Sequence, residues 1–143
     1  MGLYSSLLLI ILAPISVIIH ESGHMIICAS DGDDYTMQIN LLGGLLHCHG
    51  TPQNTMLFYS FGGVFAALVL SSPFILWRRT IQRSFIVVPL VSLISGHAVN
   101  AAVETFLNGW YLDNMAAATI IINAITAAVF LATWVKTGNT KLA

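Results

Sequence analysis

Four long apolar stretches, at about 3–29, 56–77, 84–107 and 115–135, alternate with short polar breaks along the chain. Each reaches the roughly 20 residues that an α-helix needs to cross the hydrocarbon of a bilayer. The cluster Asp31-Gly32-Asp33-Asp34 stops the first, the turn Thr51-Pro52-Gln53-Asn54 leads into the second, and Asn108 to Asn114 separates the last two. Inside the first break, Tyr35 to Asn40 and Leu45 to His49 flank Leu41-Leu42-Gly43-Gly44. A Gly-Gly pair between two short runs of this kind is a hairpin signal. The pattern predicts an all-α membrane protein of four transmembrane helices, with a short β-hairpin between helices 1 and 2, as one domain over residues 1–143.

Composition strengthens that reading. With 57% hydrophobic and 8% charged residues and a mean hydropathy of +0.84, too few polar side chains exist to cover a water-soluble domain of 143 residues. The lipid bilayer is therefore the expected surrounding of a multi-pass integral protein. The first stretch has no basic region before it and outruns a signal-peptide core, so it reads as a span. A net charge of −1 with five basic residues offers no clustered basic face, which sets nucleic acid aside as a partner.

Charge placement also orients the chain. Arg78, Arg79, Arg83, Lys136 and Lys141 all fall on one side of a four-pass topology, the cytoplasmic side by the positive-inside rule. The loop from Asp31 to Thr55 and the break from Asn108 to Asn114 then face outward. Cys28 and Cys48, one in a helix and one in a loop, make no disulfide framework and leave the redox compartment open.

The chemistry lies in the polar positions that interrupt the spans. His20-Glu21-Ser22-Gly23-His24 falls inside helix 1, which tolerates Pro14. One helical turn apart, His20 and His24 share a face and can reach one metal ion, with Glu21 beside it as general base. An ionised residue near the centre of a span costs roughly 2.5–3.5 kcal/mol on insertion scales, which demands a compensating role for Glu21. Zinc, Zn2+, fits this spacing: with three protein ligands it keeps a position for water and lowers the water's pKa to about 7. The third ligand is open between Glu104, on a helix 3 face shared with His97 and Asn100, and Asp113, in a break able to fold inward. His97 itself reads as a satisfied polar contact. In His47-Cys48-His49 only the two histidines share a strand face, so a solvated hairpin end is expected there before a second metal site. Trp77, Trp110 and Trp134 fall near span ends, as interface anchors do.

Together these residues resemble the site-2 protease family of intramembrane zinc metalloproteases, HExxH type. The resemblance spans roughly residues 15–120: HESGH in a transmembrane helix, a Gly-Gly hairpin after it, Phe61-Gly62-Gly63, and Phe106-Leu107-Asn108 followed by Leu112-Asp113-Asn114. The family's Leu-Asp-Gly stands here as Leu-Asp-Asn, without its usual prolines. By this resemblance His20, His24 and Asp113 would bind zinc, Glu21 would be the general base, and Asn108 would help to position substrate, while Glu104 stays the second choice for zinc on the cost of its burial in a span. The hairpin edge would pair with an unwound substrate segment, exposing peptide bonds that a helix hides. The family's site normally opens towards the cytoplasm, whereas the basic residues here put the motif end of helix 1 outside.

The function expected is thus an intramembrane zinc endopeptidase cutting a peptide bond in or near a transmembrane segment of a membrane protein substrate. Room is left for a regulatory membrane partner, because no appended domain selects the substrate. The runner-up is a metal-binding or metal-transport membrane protein without hydrolysis, for which histidines spread over several helices are the expected sign. A third reading, another membrane-embedded HExxH peptidase such as a prenyl-protein protease, uses Glu104 as the ligand.

Overall fold

In the computed structural model, which describes residues 2–40, 43–77, 81 and 85–139, the elements follow the hydropathy pattern closely. Helix α1 runs Gly2–Ser30, strands β1 and β2 run Tyr35–Asn40 and Gly43–Cys48, and α2 runs Thr55–Leu76. Helix α3 runs Val87–Phe106, a six-residue helix α4 runs Asn108–Asp113, and α5 runs Met115–Asn139. Among the described residues, four helices are long and apolar enough to cross a membrane: α1, α2, α3 and α5. They leave residues such as Ile10, Leu68, Ile75 and Ile120 more than 60% exposed, as side chains facing lipid would be. Of the basic residues that orient the chain, Lys136 lies in α5, whereas Arg78, Arg79, Arg83 and Lys141 fall outside the described residues.

Local chemistry sets the ends. Helix α1 closes through backbone bonds from Asp33 N–H to Cys28 O (3.2 Å) and Gly32 N–H to Ala29 O (3.1 Å), with Gly32 left-handed at φ 84°. That is the usual glycine-terminated helix stop. Asn54 starts α2 by accepting from Leu57 N–H through its side chain at 2.9 Å. The strands pair antiparallel from Tyr35↔Cys48 to Asn40↔Gly43, forming the expected hairpin between helices 1 and 2. Its tip, Leu41 and Leu42, lies outside the described residues. The break after α3 is helical rather than irregular, which decides where its side chains point.

Helix α2 packs against both α1 and α3, α5 packs on α3, and β2 lies on α1. Two apolar clusters result. One, under the hairpin, joins Ile27, Leu46 and Phe58; the other, at the opposite end of the spans, joins Leu70, Leu90 and Leu93. The polar residues of α1 and α3 meet between them. Helix α1 continues ten residues past His20 whereas α3 ends two past Glu104. At 1.5 Å per residue, α1 therefore projects roughly 12 Å further and carries the hairpin as a cap over that end. A Cys28–Cys48 disulfide, with Cα atoms 5.9 Å apart, ties the cap to the helix. The sequence pattern did not pair these cysteines: one is helical, the other a strand residue 20 positions on, and only the fold-back of the hairpin brings them together.

Candidate metal centre

His20, His24 and Glu104 converge in the interior, each about 5% exposed. His20 Nε2 stands 3.1 Å from His24 Nε2. Glu104 Oε2 stands 3.4 Å from the former and 3.5 Å from the latter. These three distances make a nearly equilateral triangle. Two ligand atoms bonded at about 2.0–2.1 Å to one tetrahedral ion stand roughly 3.3–3.4 Å apart, so the triangle fits such an ion. Glu104 supplies a second sign. Its Oε1 accepts from Asn100 Nδ2 at 3.1 Å, but the buried Oε2 has no hydrogen-bond partner. A buried, unanswered carboxylate oxygen is costly, and a cation answers it. Among the described residues this is the one group of three or more His, Cys, Asp or Glu placed to hold a metal ion.

The imidazoles are oriented from behind. His24 Nδ1 lies 2.8 Å from the carbonyl of Phe58 on α2, to which it donates, leaving Nε2 free to ligate. His20 Nδ1 lies 3.3 Å from His97 Nδ1 on α3. His97 therefore backs a candidate ligand, a place the sequence pattern did not assign to it. Replacing it by leucine keeps the bulk and removes the contact, and metal affinity is expected to fall about 10–100-fold, the usual weight of such outer partners. Equilibrium competition against a metal-responsive dye checks this, and unchanged affinity would mean that His97 orients nothing.

Close backbone approach makes the arrangement possible. A Cβ on Gly62 would run into His24 Nε2, so the glycine of α2 is what lets that helix lie against the ligand. Gly44 of β2 likewise passes directly over Glu21, where a Cβ would meet the carboxylate. The backbone of Leu46 hydrogen-bonds to the same Glu21 carboxylate, so the hairpin holds that carboxylate in place.

Asp113, the ligand implied by the family resemblance, is not brought to this group. It is exposed at the C-terminal end of α4. Because Asn108–Asp113 is helical, Asp113 lies roughly 200° around the helix from Tyr111, which faces inward. The third corner is Glu104, the second of the two candidates. Asn108 is half-buried at the start of α4, and its Nδ2 is buried without a hydrogen-bond partner. His47 and His49 stack edge to face at 5.2 Å in the hairpin and join no three-ligand group.

Two cavities flank the centre. One, of about 160 Å3, runs towards the middle of the spans between α1 and α5 and is lined by Ser16, His97, Asn100, Asn123 and Thr126 among others. The second, of about 340 Å3, lies under the hairpin against Leu45, His47, Phe58, Tyr59 and Leu112. Glu21, Gly44, Glu104 and Tyr111 border both. The Tyr111 phenol is pushed up from its ordinary range, first by burial and then by the Glu104 carboxylate, with which it hydrogen-bonds. The sequence pattern did not single Tyr111 out, because its place beside Glu104 depends on how α4 follows α3.

Compared with known proteins, the chain matches no protein-family model, no curated protein and no solved structure.

Proposed function

We propose that this chain is a membrane-embedded zinc endopeptidase that cleaves a peptide bond in or near a transmembrane segment of another protein. The observation that carries the reading is the His20–His24–Glu104 triangle, with the carboxylate of Glu21 beside it and a cavity on either side. Two imidazoles and one carboxylate at tetrahedral spacing suit zinc, and three protein ligands leave a position open for chemistry. Zinc held there supplies Lewis acidity, polarising a carbonyl and making water acidic enough to attack at neutral pH. Glu21 takes the proton of the attacking water as the new C–O bond forms. It returns that proton to the amine as the C–N bond breaks. Asn100, Asn123 and Thr126 give the inner cavity the polar lining that water needs among apolar helices.

Strand β2 supports a site-2-like enzyme. Its residues Leu45 to Cys48 line the outer cavity, so a peptide extended there runs along a strand and exposes its bonds. Glu104, rather than Asp113, is the ligand expected of the other membrane-embedded HExxH peptidases, and that observation keeps the second reading in play. The disulfide bears on orientation. Such bonds persist in oxidising compartments, and charge places the same loop outside, so we read the site as opening on the extracytoplasmic face.

Metal removal tests the activity. The purified chain in detergent is incubated with a transmembrane test peptide, before and after dialysis against a chelator. Cleavage is expected to vanish with the metal and to return with about one equivalent of zinc. Cleavage at the parent rate by metal-free protein would sink the peptidase mechanism. Metal binding without cleavage, together with zinc uptake into vesicles, would put transport in its place.

A further inference from the structure

We propose that the Tyr111 phenol is a catalytic hydrogen-bond donor to the oxyanion that forms at the scissile carbonyl, an inference resting on the peptidase reading above. The two cavities meet at a partition of four residues, Glu21, Gly44, Glu104 and Tyr111. A peptide extending from one cavity into the other lays its reacting bond across that partition. Three of the four already have their parts. Glu21 moves the proton, Glu104 holds the metal, and Gly44 has no side chain. Tyr111 is the one remaining side chain, and it carries an O–H with no part in the proton transfer.

The fold places it there deliberately in physical terms. Tyr111 lies in α4, which leads straight off the end of α3, so its side chain and that of Glu104 come from adjoining helices. The connection bends at Leu107, where α3 gives way to α4, and the Tyr111 N–H bonds back to Leu107 O at 2.8 Å. The short helix thus brings the phenol beside Glu104 to the border of both cavities. Asn108, one turn earlier, has an unpaired donor, but it borders neither cavity. Substrate therefore reaches Tyr111 and not Asn108.

The step balances without an added reagent. Water oxygen bonds to the carbonyl carbon, its proton goes to Glu21, and the carbonyl π pair becomes a lone pair on the oxyanion. That oxygen accepts from the Tyr111 O–H, which keeps its proton throughout. Collapse restores the carbonyl, breaks the C–N bond and sends the Glu21 proton to the amine. Removing one fixed donor to such an oxyanion costs about 10²–10³ in kcat.

The test compares parent and Tyr111→Phe, which keeps the ring, for bound zinc, kcat, KM and affinity for a phosphinic peptide that mimics the tetrahedral state. Expected are full zinc content, KM within about threefold, kcat lower by about 10²–10³, and phosphinic peptide affinity lower by a similar factor. A Tyr111→Phe protein that loses zinc would make the phenol a positioning residue for Glu104 and overturn the proposal. So would an unchanged kcat, or a loss confined to KM. The parent is the control for the underlying reading: if zinc-loaded parent cleaves nothing, the peptidase reading fails, and Tyr111 with it, whereas a failure of Tyr111 alone leaves an active parent.

Discussion

Replacing Glu104 by alanine is expected to empty the metal centre, and replacing Asp113 by alanine to leave it filled. Glu104 Oε2 forms one corner of the triangle and is buried without a hydrogen-bond partner. Asp113 is exposed at the end of α4. Outer partners of metal ligands are worth about 10–100-fold in affinity, so loss of a ligand itself is expected to exceed a hundredfold. The Glu104→Ala protein should retain well under one zinc per chain after gel filtration, while Asp113→Ala retains about one. Glu104→Gln adds a second arm, since it keeps the size but has a single, neutral oxygen, which can accept from Asn100 or face the metal but not both. It is expected to bind zinc weakly rather than not at all. Full zinc content in Glu104→Ala with loss in Asp113→Ala would reverse the ligand assignment and return it to the family's pattern.

The third ligand shows where sequence reasoning reaches its limit. Hydropathy alone located the four spans to within a few residues, because a bilayer imposes length and polarity on each helix separately. The spacing of His20, Glu21 and His24 was equally legible, since one helix turn fixes it. Glu104 depended on more. It shares the face of His97 and Asn100 only if α3 stays helical through Phe106, and it reaches His20 only because Gly62 and Gly63 let α2 draw α1 and α3 together. Asp113 looked competitive because the segment from Asn108 was read as an irregular break able to fold inward. Helicity of six residues there was enough to turn Asp113 out and Tyr111 in. The disulfide depends on a fold-back of the same kind. Contacts between elements, not within them, decided each of these cases.

Glu21→Gln is expected to produce the opposite signature to Glu104→Ala: full zinc and almost no turnover. Glutamine has the same shape and can keep the Leu46 backbone contact through its side-chain oxygen, so β2 should stay seated over the site. What it cannot do is accept a proton from the attacking water and pass it to the amine. A positioned general base is worth about 10²–10⁴ in rate, and here one residue serves both transfers, so the fall in kcat is expected at the upper end of that range. Zinc content should match the parent because the corners of the triangle are untouched. The same protein should bind the phosphinic peptide, since the metal and the Tyr111 donor remain. That separates lost proton transfer from a collapsed site. Parent-like turnover by zinc-loaded Glu21→Gln would remove the base from the mechanism. The histidines would then be left as a metal-binding site in a membrane protein that does some other work.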